Sequence, residues 1–96
     1  MNTRTDERRG ALADLLQRAA GGDVEAFAAF YDATCVAAYR LALGLTGAAE
    51  PAEHLCRIGY LRAWRHAASY DATACSPLVW LLLMTRSVNE ELAAAA

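Results

Sequence analysis

Glycine and proline interrupt this sequence at three places, leaving four segments in which apolar residues recur at three- or four-residue intervals. The interruptions are Gly21-Gly22, the stretch from Gly47 to Pro51, and Ser76-Pro77. Intervals of three and four residues place side chains on one face of an α-helix, whereas a half-buried strand needs strict alternation. The pattern therefore predicts helices over about residues 7–20, 24–46, 51–68 and 77–92.

Composition supports an all-α domain. Alanine, the strongest helix former, accounts for 23 of the 96 residues, and β-branched residues are few. Hydrophobic residues make up 56% of the chain, which is enough for one modest core and not for two. We therefore predict a single domain over residues 1–96, folded as a compact four-helix bundle, with the alanines at 93–96 fraying.

The last predicted helix is apolar nearly all round for its first two turns. A helix with no polar face is normally enclosed by others, so this helix is expected to lie at the centre of the core. Trp80 on this helix and Trp64 on the third helix are both expected to pack inside, because large aromatic side chains dominate burial in small bundles.

The net charge of −2 is not that of a protein that holds DNA mainly through its phosphates, but the charges are unevenly placed. Residues 1–53 carry five arginines against eight acids, whereas residues 54–86 carry four arginines against Asp71 alone. On the third helix, Arg62, Arg65 and His66 are spaced closely enough to form one cationic patch. Two interpretations stay open for this patch, a nucleic-acid contact and an ordinary solvated helix face.

Several classes of function are not supported by the sequence. The N-terminus is charged, and the longest apolar run, Leu78 to Met84, is too short to cross a bilayer, so we expect a cytoplasmic protein with no membrane contact. His54 and Cys56 face different sides of a helix, and we expect neither a metal nor a cofactor. No nucleophile and base stand at a meaningful spacing, and no glycine-rich phosphate loop is present, so an enzyme is not predicted.

Several strings in register give the chain a resemblance to a known family. In the second half they are Tyr60-Leu61-Arg62-Ala63-Trp64-Arg65-His66, Tyr70-Asp71, Trp80-Leu81 and Arg86. In the first half they are Gly22-Asp23, Ala26-Phe27-Ala28-Ala29-Phe30-Tyr31-Asp32, Tyr39-Arg40-Leu41-Ala42-Leu43 and Leu45-Thr46-Gly47. Over about residues 12–92 the chain resembles region 2 of the extracytoplasmic-function (ECF) sigma factors in the sigma-70 family.

The resemblance implies two binding surfaces. One face of the third helix is expected to bind the clamp helices of the β′ subunit of core RNA polymerase. The residues at the matching positions are Glu53, His54, Arg57, Ile58 and Leu61. The loop after that helix, with the start of the next, is expected to capture a flipped base of the minus-ten promoter element, where a pocket and a cationic groove offset the few kcal/mol of unstacking. The implied DNA-binding residues are Arg62, Arg65, His66, Tyr70, Asp71, Ser76 and Arg86.

The chain also departs from the family pattern. Relatives begin the third helix with an acidic and amide face, and here those positions hold Pro51, His54, Arg57 and Ile58, with Glu53 retained. An arginine facing a cationic clamp sets like charges together, and losing a charge-assisted pair at a desolvated site typically costs about 2–5 kcal/mol. The final helix ends in Glu90-Glu91, where relatives are basic, which predicts weak affinity for promoter DNA.

Two hypotheses follow from these features. In the first, the chain is a working initiation module that binds core RNA polymerase and the minus-ten element. In the second, it is a degenerate sigma-like regulator that binds an anti-sigma factor or another protein partner and has lost polymerase and DNA binding. Exposed apolar surface on such a domain leaves a dimer as a further alternative.

Overall fold

The computed structural model describes residues 3–95 and consists of four α-helices with one short 3₁₀ turn. The elements are α1 (Thr3–Ala20), α2 (Val24–Thr46), α3 (Ala49–His66), the 3₁₀ turn (Ala67–Ser69) and α4 (Pro77–Ala95). No strand occurs within the described range, and every pair of helices is in contact. The prediction of an all-α four-helix bundle is confirmed.

Local sequence explains where α2 begins and ends. Asp23 precedes its first turn, and its Oδ1 accepts a hydrogen bond from the Ala26 N–H at 3.0 Å, which satisfies a backbone donor that the helix itself leaves free. At the other end Gly47 adopts a left-handed conformation with φ of 79°, and its N–H donates to the Leu43 carbonyl at 2.8 Å. That conformation favours glycine because other residues strain there, so Gly47 ends the helix cleanly.

Other helix ends lie a few residues from their sequence-based positions. The structure begins α1 at Thr3 and α3 at Ala49, and the α-helical part of α3 ends at His66, after which the 3₁₀ turn continues to Ser69. Helix α4 extends through Ala95, because alanine has the highest helix propensity and sustains the last turn where fraying was expected. Residue 96 lies outside the described range.

The core forms two clusters along the bundle. The larger gathers buried side chains around Phe30, namely Leu12, Leu16, Ala38, Tyr60, Ala63, Ala67 and Leu81. The smaller joins Ala42, Ala52, Leu55 and Val88. Helices α3 and α4 approach most tightly at Gly59, where an added Cβ would lie 3.0 Å from Thr85 Oγ1. The many small residues at these contacts therefore let the helices pack closely.

One buried hydrogen-bond chain crosses the larger cluster. Thr34 Oγ1 donates to the Phe30 carbonyl at 2.8 Å and lies 2.7 Å from the Tyr60 hydroxyl. Because the only proton of the Thr34 hydroxyl is committed to that carbonyl, the Tyr60 hydroxyl donates to Thr34. Burial raises the pKa of Tyr60, so this side chain remains a neutral donor.

The expectation that α4 is enclosed at the centre of the core is wrong, because Val79 and Leu83 on this helix are 44% and 57% exposed. The tryptophans pack as predicted, although both are only half-buried: Trp80 packs against the larger core cluster, and Trp64 packs edge-on against Phe27 at 5.3 Å between centroids. In a bundle of four helices each helix keeps an outer face, whatever its side chains are. The apolar outer face of α4 is therefore solvent-exposed.

Candidate functional site

Three of the predicted DNA-binding residues come together near the end of α3. Arg62, Arg65 and His66, hereafter the α3 patch, line one hollow of about 340 Å³ together with Ile58 and Leu61. Arg65 and His66 are exposed, and Leu61 is 49% exposed. The hollow therefore places cations directly beside two residues that were predicted to contact polymerase, so the two predicted surfaces adjoin on α3.

Two adjacent acids at the end of α4 pair with predicted DNA-binding arginines. Glu91 forms an ion pair with Arg62 across the α3–α4 interface, and Glu90 lies 3.8 Å from the Arg86 Nε on its own helix. Within residues 3–95, no carboxylate is at ion-pair distance from Arg65. Exposed ion pairs contribute at most about 1 kcal/mol, so a phosphate can replace these carboxylates at small cost. In the unbound chain, however, they neutralise two of the cations.

Arg86 does not join the α3 patch in the structure. Its side chain is 66% exposed, its ion-pair partner is Glu90, and it does not line the hollow that the α3 patch shares with Ile58 and Leu61. The cationic surface predicted from the sequence is therefore divided between the α3 patch and the exposed face of α4 that carries Arg86.

The loop over residues 70–76 is held in shape by the residues predicted to bind DNA there. The Tyr70 hydroxyl donates to the Cys75 carbonyl at 2.7 Å, and its ring packs edge-on against Trp80 at 5.6 Å between centroids. Ser76 Oγ accepts from the Val79 N–H at 3.2 Å and so caps α4. These hydrogen bonds give the loop a defined conformation before any ligand binds.

Asp71 organises the middle of the same loop. Its Oδ1 accepts two hydrogen bonds from Thr73, from the backbone N–H at 2.9 Å and from the hydroxyl at 2.7 Å. These bonds favour the charged carboxylate and lower the pKa of Asp71. The pKa of the Tyr70 phenol is raised, mainly by burial and also by the neighbouring Cys75. The positive charge of Arg9 acts in the opposite direction. A side chain of α1 thus lies close enough to act on the loop.

The residues predicted to contact polymerase form an exposed ridge on α3 with one exception. Glu53, His54 and Arg57 are exposed, and no described acid is paired with Arg57. Ile58 is half-buried because it packs against the smaller core cluster. The ridge is therefore mixed in charge at its start and apolar where it meets the α3 patch at Leu61.

Sequence reasoning missed a second group of cations beside the loop. Arg4, Arg8 and Arg9 of α1 line a hollow of about 470 Å³ with the residues that begin α4. In the sequence they belong to an N-terminal half that is acidic overall. The signal that identifies them is local, three arginines within six residues, and only the fold shows that they adjoin the loop.

Two further features of the described residues concern metal ions and membranes. No group of three His, Cys, Asp or Glu side chains within residues 3–95 has a spacing that suits a metal ion, and the three cysteines are free thiols. No described helix is long and apolar enough to cross a bilayer. What the described surface offers is separate cationic hollows and exposed apolar side chains, which suit nucleic-acid and protein partners.

Sequence comparison shows the family to which this chain belongs. The model of Sigma-70 region 2 matches residues 30–90, which covers most of α2, all of α3, the loop and most of α4. This chain belongs to the sigma-70 region 2 family and is a sigma factor-like module. Sigma factors are transcription initiation factors and not enzymes, so family membership also confirms that no catalytic activity is to be expected.

Individual relatives point to the ECF group that the sequence strings resemble. The chain is 44% identical over 77 residues to the ECF RNA polymerase sigma factor SigK of Mycobacterium ulcerans (strain Agy99), covering 80% of this chain and 41% of that protein. It is 41% identical over 70 residues to SigK of Mycolicibacterium vanbaalenii, covering 73% and 36%. SigK of Mycobacterium tuberculosis (strain ATCC 25177 / H37Ra) is 40% identical over 70 residues, covering 73% and 37%. The chain thus spans about two fifths of the length of these relatives, and no solved structure matches it.

Proposed function

We propose that this chain is the promoter-opening module of a sigma factor, which binds core RNA polymerase through α3 and single-stranded minus-ten DNA through the α3 patch and the loop at 70–76. The observation that carries the proposal is the family match over residues 30–90, which includes all of these elements. The relatives are named RNA polymerase sigma factors. A cytoplasmic location belongs to the same proposal.

The chemistry of the α3 patch supports the DNA-binding part of the proposal. Arg65 and His66 are exposed and adjacent, so they offer donors to backbone phosphates of a single strand. Tyr70 is half-buried and its ring already packs on Trp80, so the loop presents a preformed aromatic surface that begins four residues after His66. A preformed surface loses little entropy on binding, which helps to offset the cost of unstacking a base.

DNA binding is tested with a matched pair of double variants. R65Q/H66Q removes one arginine and one histidine from the α3 patch, and R40Q/H54Q removes the same charges from exposed sites outside it. In fluorescence anisotropy with a labelled single-stranded minus-ten oligonucleotide at 0.1 M salt, R65Q/H66Q should bind about fivefold more weakly for each phosphate that it no longer neutralises. R40Q/H54Q should bind like the unmodified chain. Absence of binding by the unmodified chain, or an equal reduction in both variants, contradicts the proposal.

Polymerase binding is tested separately by retention on immobilised core RNA polymerase. Leu61 is 49% exposed on the α3 ridge, and Leu92 near the end of α4 is 39% exposed, so L61D and L92D place the same charge at similarly accessible positions. We expect core polymerase to retain the unmodified chain and L92D but not L61D, because a charge placed in an apolar contact is desolvated without a partner. Equal retention of both variants would refute an α3 interface.

A second candidate function is a protein-binding regulator that uses the sigma fold to engage an anti-sigma factor. Two observations favour it, namely the pairing of Arg62 and Arg86 with acids and the apolar surface of α2. On α2, exposed Tyr31 and Val36 line a hollow of about 510 Å³ with other largely apolar side chains and Arg40. Capture of a purified anti-sigma factor, with neither polymerase retention nor DNA binding, would decide for this function and against the first.

A further inference from the structure

The first three turns of α1 and the start of α4 line a cationic hollow that was not predicted from the sequence. Arg4, Arg8 and Arg9 contribute its charge. Its remaining walls are Thr5 and Leu12 of α1, Ser76 that caps α4, and Pro77 and Leu78 of its first turn. The volume of about 470 Å³ is ample for a phosphodiester group, and this set of residues is called the α1 hollow below.

The position of these arginines does not help the helix that carries them. Arg4 and Arg8 are four residues apart on one face, where like charges destabilise a helix by about 0.2–0.5 kcal/mol. Arg4 lies in the first turn of α1, where a cation opposes the helix dipole. Residues that break local rules in this way are expected where function requires them.

The charge of the α1 hollow is not neutralised by the part of the chain that the structure describes. None of its three arginines is at ion-pair distance from a described carboxylate, and the neighbouring acids Asp6 and Glu7 do not line the hollow. Arg62 and Arg86, by contrast, are each paired with an acid. The α1 hollow therefore holds three arginines that have no ion-pair partner among the described carboxylates.

The α1 hollow adjoins the loop at 70–76. Ser76, the last residue of the loop, forms part of its wall, and the charge of Arg9 acts on the Tyr70 phenol within the loop. Leu12 and Pro77 are buried beside the three arginines, which are themselves exposed and so accessible to an anion. An anionic polymer that binds the loop would therefore have its neighbouring charges close to these arginines.

We propose that the α1 hollow binds backbone phosphates of a single-stranded nucleic acid whose neighbouring nucleotides contact the loop at 70–76. This inference rests on the proposed function, because it assumes that the loop contacts DNA. The planar guanidinium group donates two parallel hydrogen bonds to phosphate oxygens, which makes arginine well suited to this ligand. The α1 hollow extends the DNA surface to an element outside residues 30–90, the part matched by the family model.

The first experiment compares two triple variants in which the same amount of charge is removed. R4Q/R8Q/R9Q alters the α1 hollow, and R18Q/R40Q/A29E lowers the net charge by the same three units at exposed sites that line neither the hollow nor the α3 patch. Binding to a labelled single-stranded oligonucleotide is measured between 0.05 and 0.3 M salt. Over this range the Debye length falls from about 14 Å to about 6 Å. If three phosphates are no longer neutralised, the salt slope should fall by about 2 and the affinity at 0.1 M salt by about 100-fold, whereas the control variant should change little.

A second experiment locates the binding position on the DNA. Single phosphates of the oligonucleotide are replaced in turn by neutral methylphosphonates. At one or more positions the replacement should weaken binding of the unmodified chain and leave binding of R4Q/R8Q/R9Q unchanged. If the triple variant unfolds at the assay temperature, R8Q alone should still lower the affinity about fivefold and the slope by about 0.7.

The outcomes separate this inference from the function on which it rests. If the unmodified chain binds no single-stranded DNA, the proposed function fails. If it binds but R4Q/R8Q/R9Q matches R18Q/R40Q/A29E in affinity and slope, or if every methylphosphonate affects the unmodified chain and R4Q/R8Q/R9Q equally, the α1 hollow is not a phosphate site and the proposed function stands.

Discussion

Removing the charge of the acids at the end of α4 should strengthen binding to single-stranded DNA. Glu91 is paired with Arg62, and Glu90 lies 3.8 Å from the Nε of Arg86, so E90Q/E91Q frees two arginines and also removes two charges that repel phosphate. Glutamine has almost the same helix propensity as glutamate, so α4 should remain intact. The two ion pairs are largely exposed, and we expect the free energy of unfolding to fall by less than about 1 kcal/mol.

The size of the effect follows from the number of arginines released. Each additional phosphate that is neutralised steepens the dependence of log affinity on log salt by about 0.7 for a single strand. Two phosphates therefore add about 1.4 to the slope. Taking about 1 M as the salt at which such interactions stop contributing, the affinity at 0.1 M salt should rise about fivefold for each phosphate and about 25-fold for two.

The assay is fluorescence anisotropy of a labelled single-stranded minus-ten oligonucleotide over a range of salt concentrations. The control is E50Q/E53Q, which changes the net charge equally but lies at the opposite end of α3 from the α3 patch. Both variants are first checked by thermal unfolding. Equal increases in affinity for the two variants would show a general effect of net charge, and an unchanged slope for E90Q/E91Q would refute the idea that its arginines become available.

Three further predictions concern the scaffold. T34V should lower the free energy of unfolding by about 1–3 kcal/mol in urea titrations, because it leaves the buried Tyr60 hydroxyl without a partner. Y60F leaves Thr34 bonded to the Phe30 carbonyl and should lower the free energy of unfolding by about 0.5–1.5 kcal/mol. An equal cost for both would argue against the hydrogen-bond chain. G59A should destabilise the fold in the unmodified chain and much less in a chain that also carries T85A, because the new Cβ would lie 3.0 Å from Thr85 Oγ1. Additive effects of the two substitutions in a double-mutant cycle would contradict this close approach. The pKa of Asp71 in the folded chain lies below the value in the unfolded chain. The contribution of Asp71 to loop order is therefore complete above the unfolded pKa and is lost as pH falls through the folded pKa. An NMR titration in which the Asp71 carboxyl titrates at or above the ordinary value would exclude the hydrogen-bonded turn between Asp71 and Thr73.

The fold was largely predictable because its determinants are local. Glycine at position 47 and proline at position 77 mark helix ends through backbone geometry alone, and apolar spacing identifies helical faces. The depth of burial was not predictable in this way. Val79 and Leu83 are as apolar as core residues and are nevertheless exposed, because which face of α4 is covered depends on how the four helices are arranged in space.

The candidate site was predictable only where its residues are close in sequence. Arg62, Arg65 and His66 are within two turns of one helix, and the structure brings them together. The ion pair between Arg62 and Glu91 joins residues 29 positions apart, so no spacing rule could indicate it. The α1 hollow was missed for the same reason, since the arginines of α1 and Ser76 meet only through the packing of α1 against the start of α4.

Binding of single-stranded promoter DNA on the α3 patch and the loop at 70–76 is the central claim. The most direct test is an NMR titration of isotopically labelled protein with a single-stranded minus-ten oligonucleotide, following the backbone amide signals of every element. We predict that the largest shifts fall on the last two turns of α3 and on residues 70–76. Shifts confined to the apolar face of α2, or no shifts at protein concentrations of about 100 μM, where even weak non-specific binding is detectable, would contradict the claim.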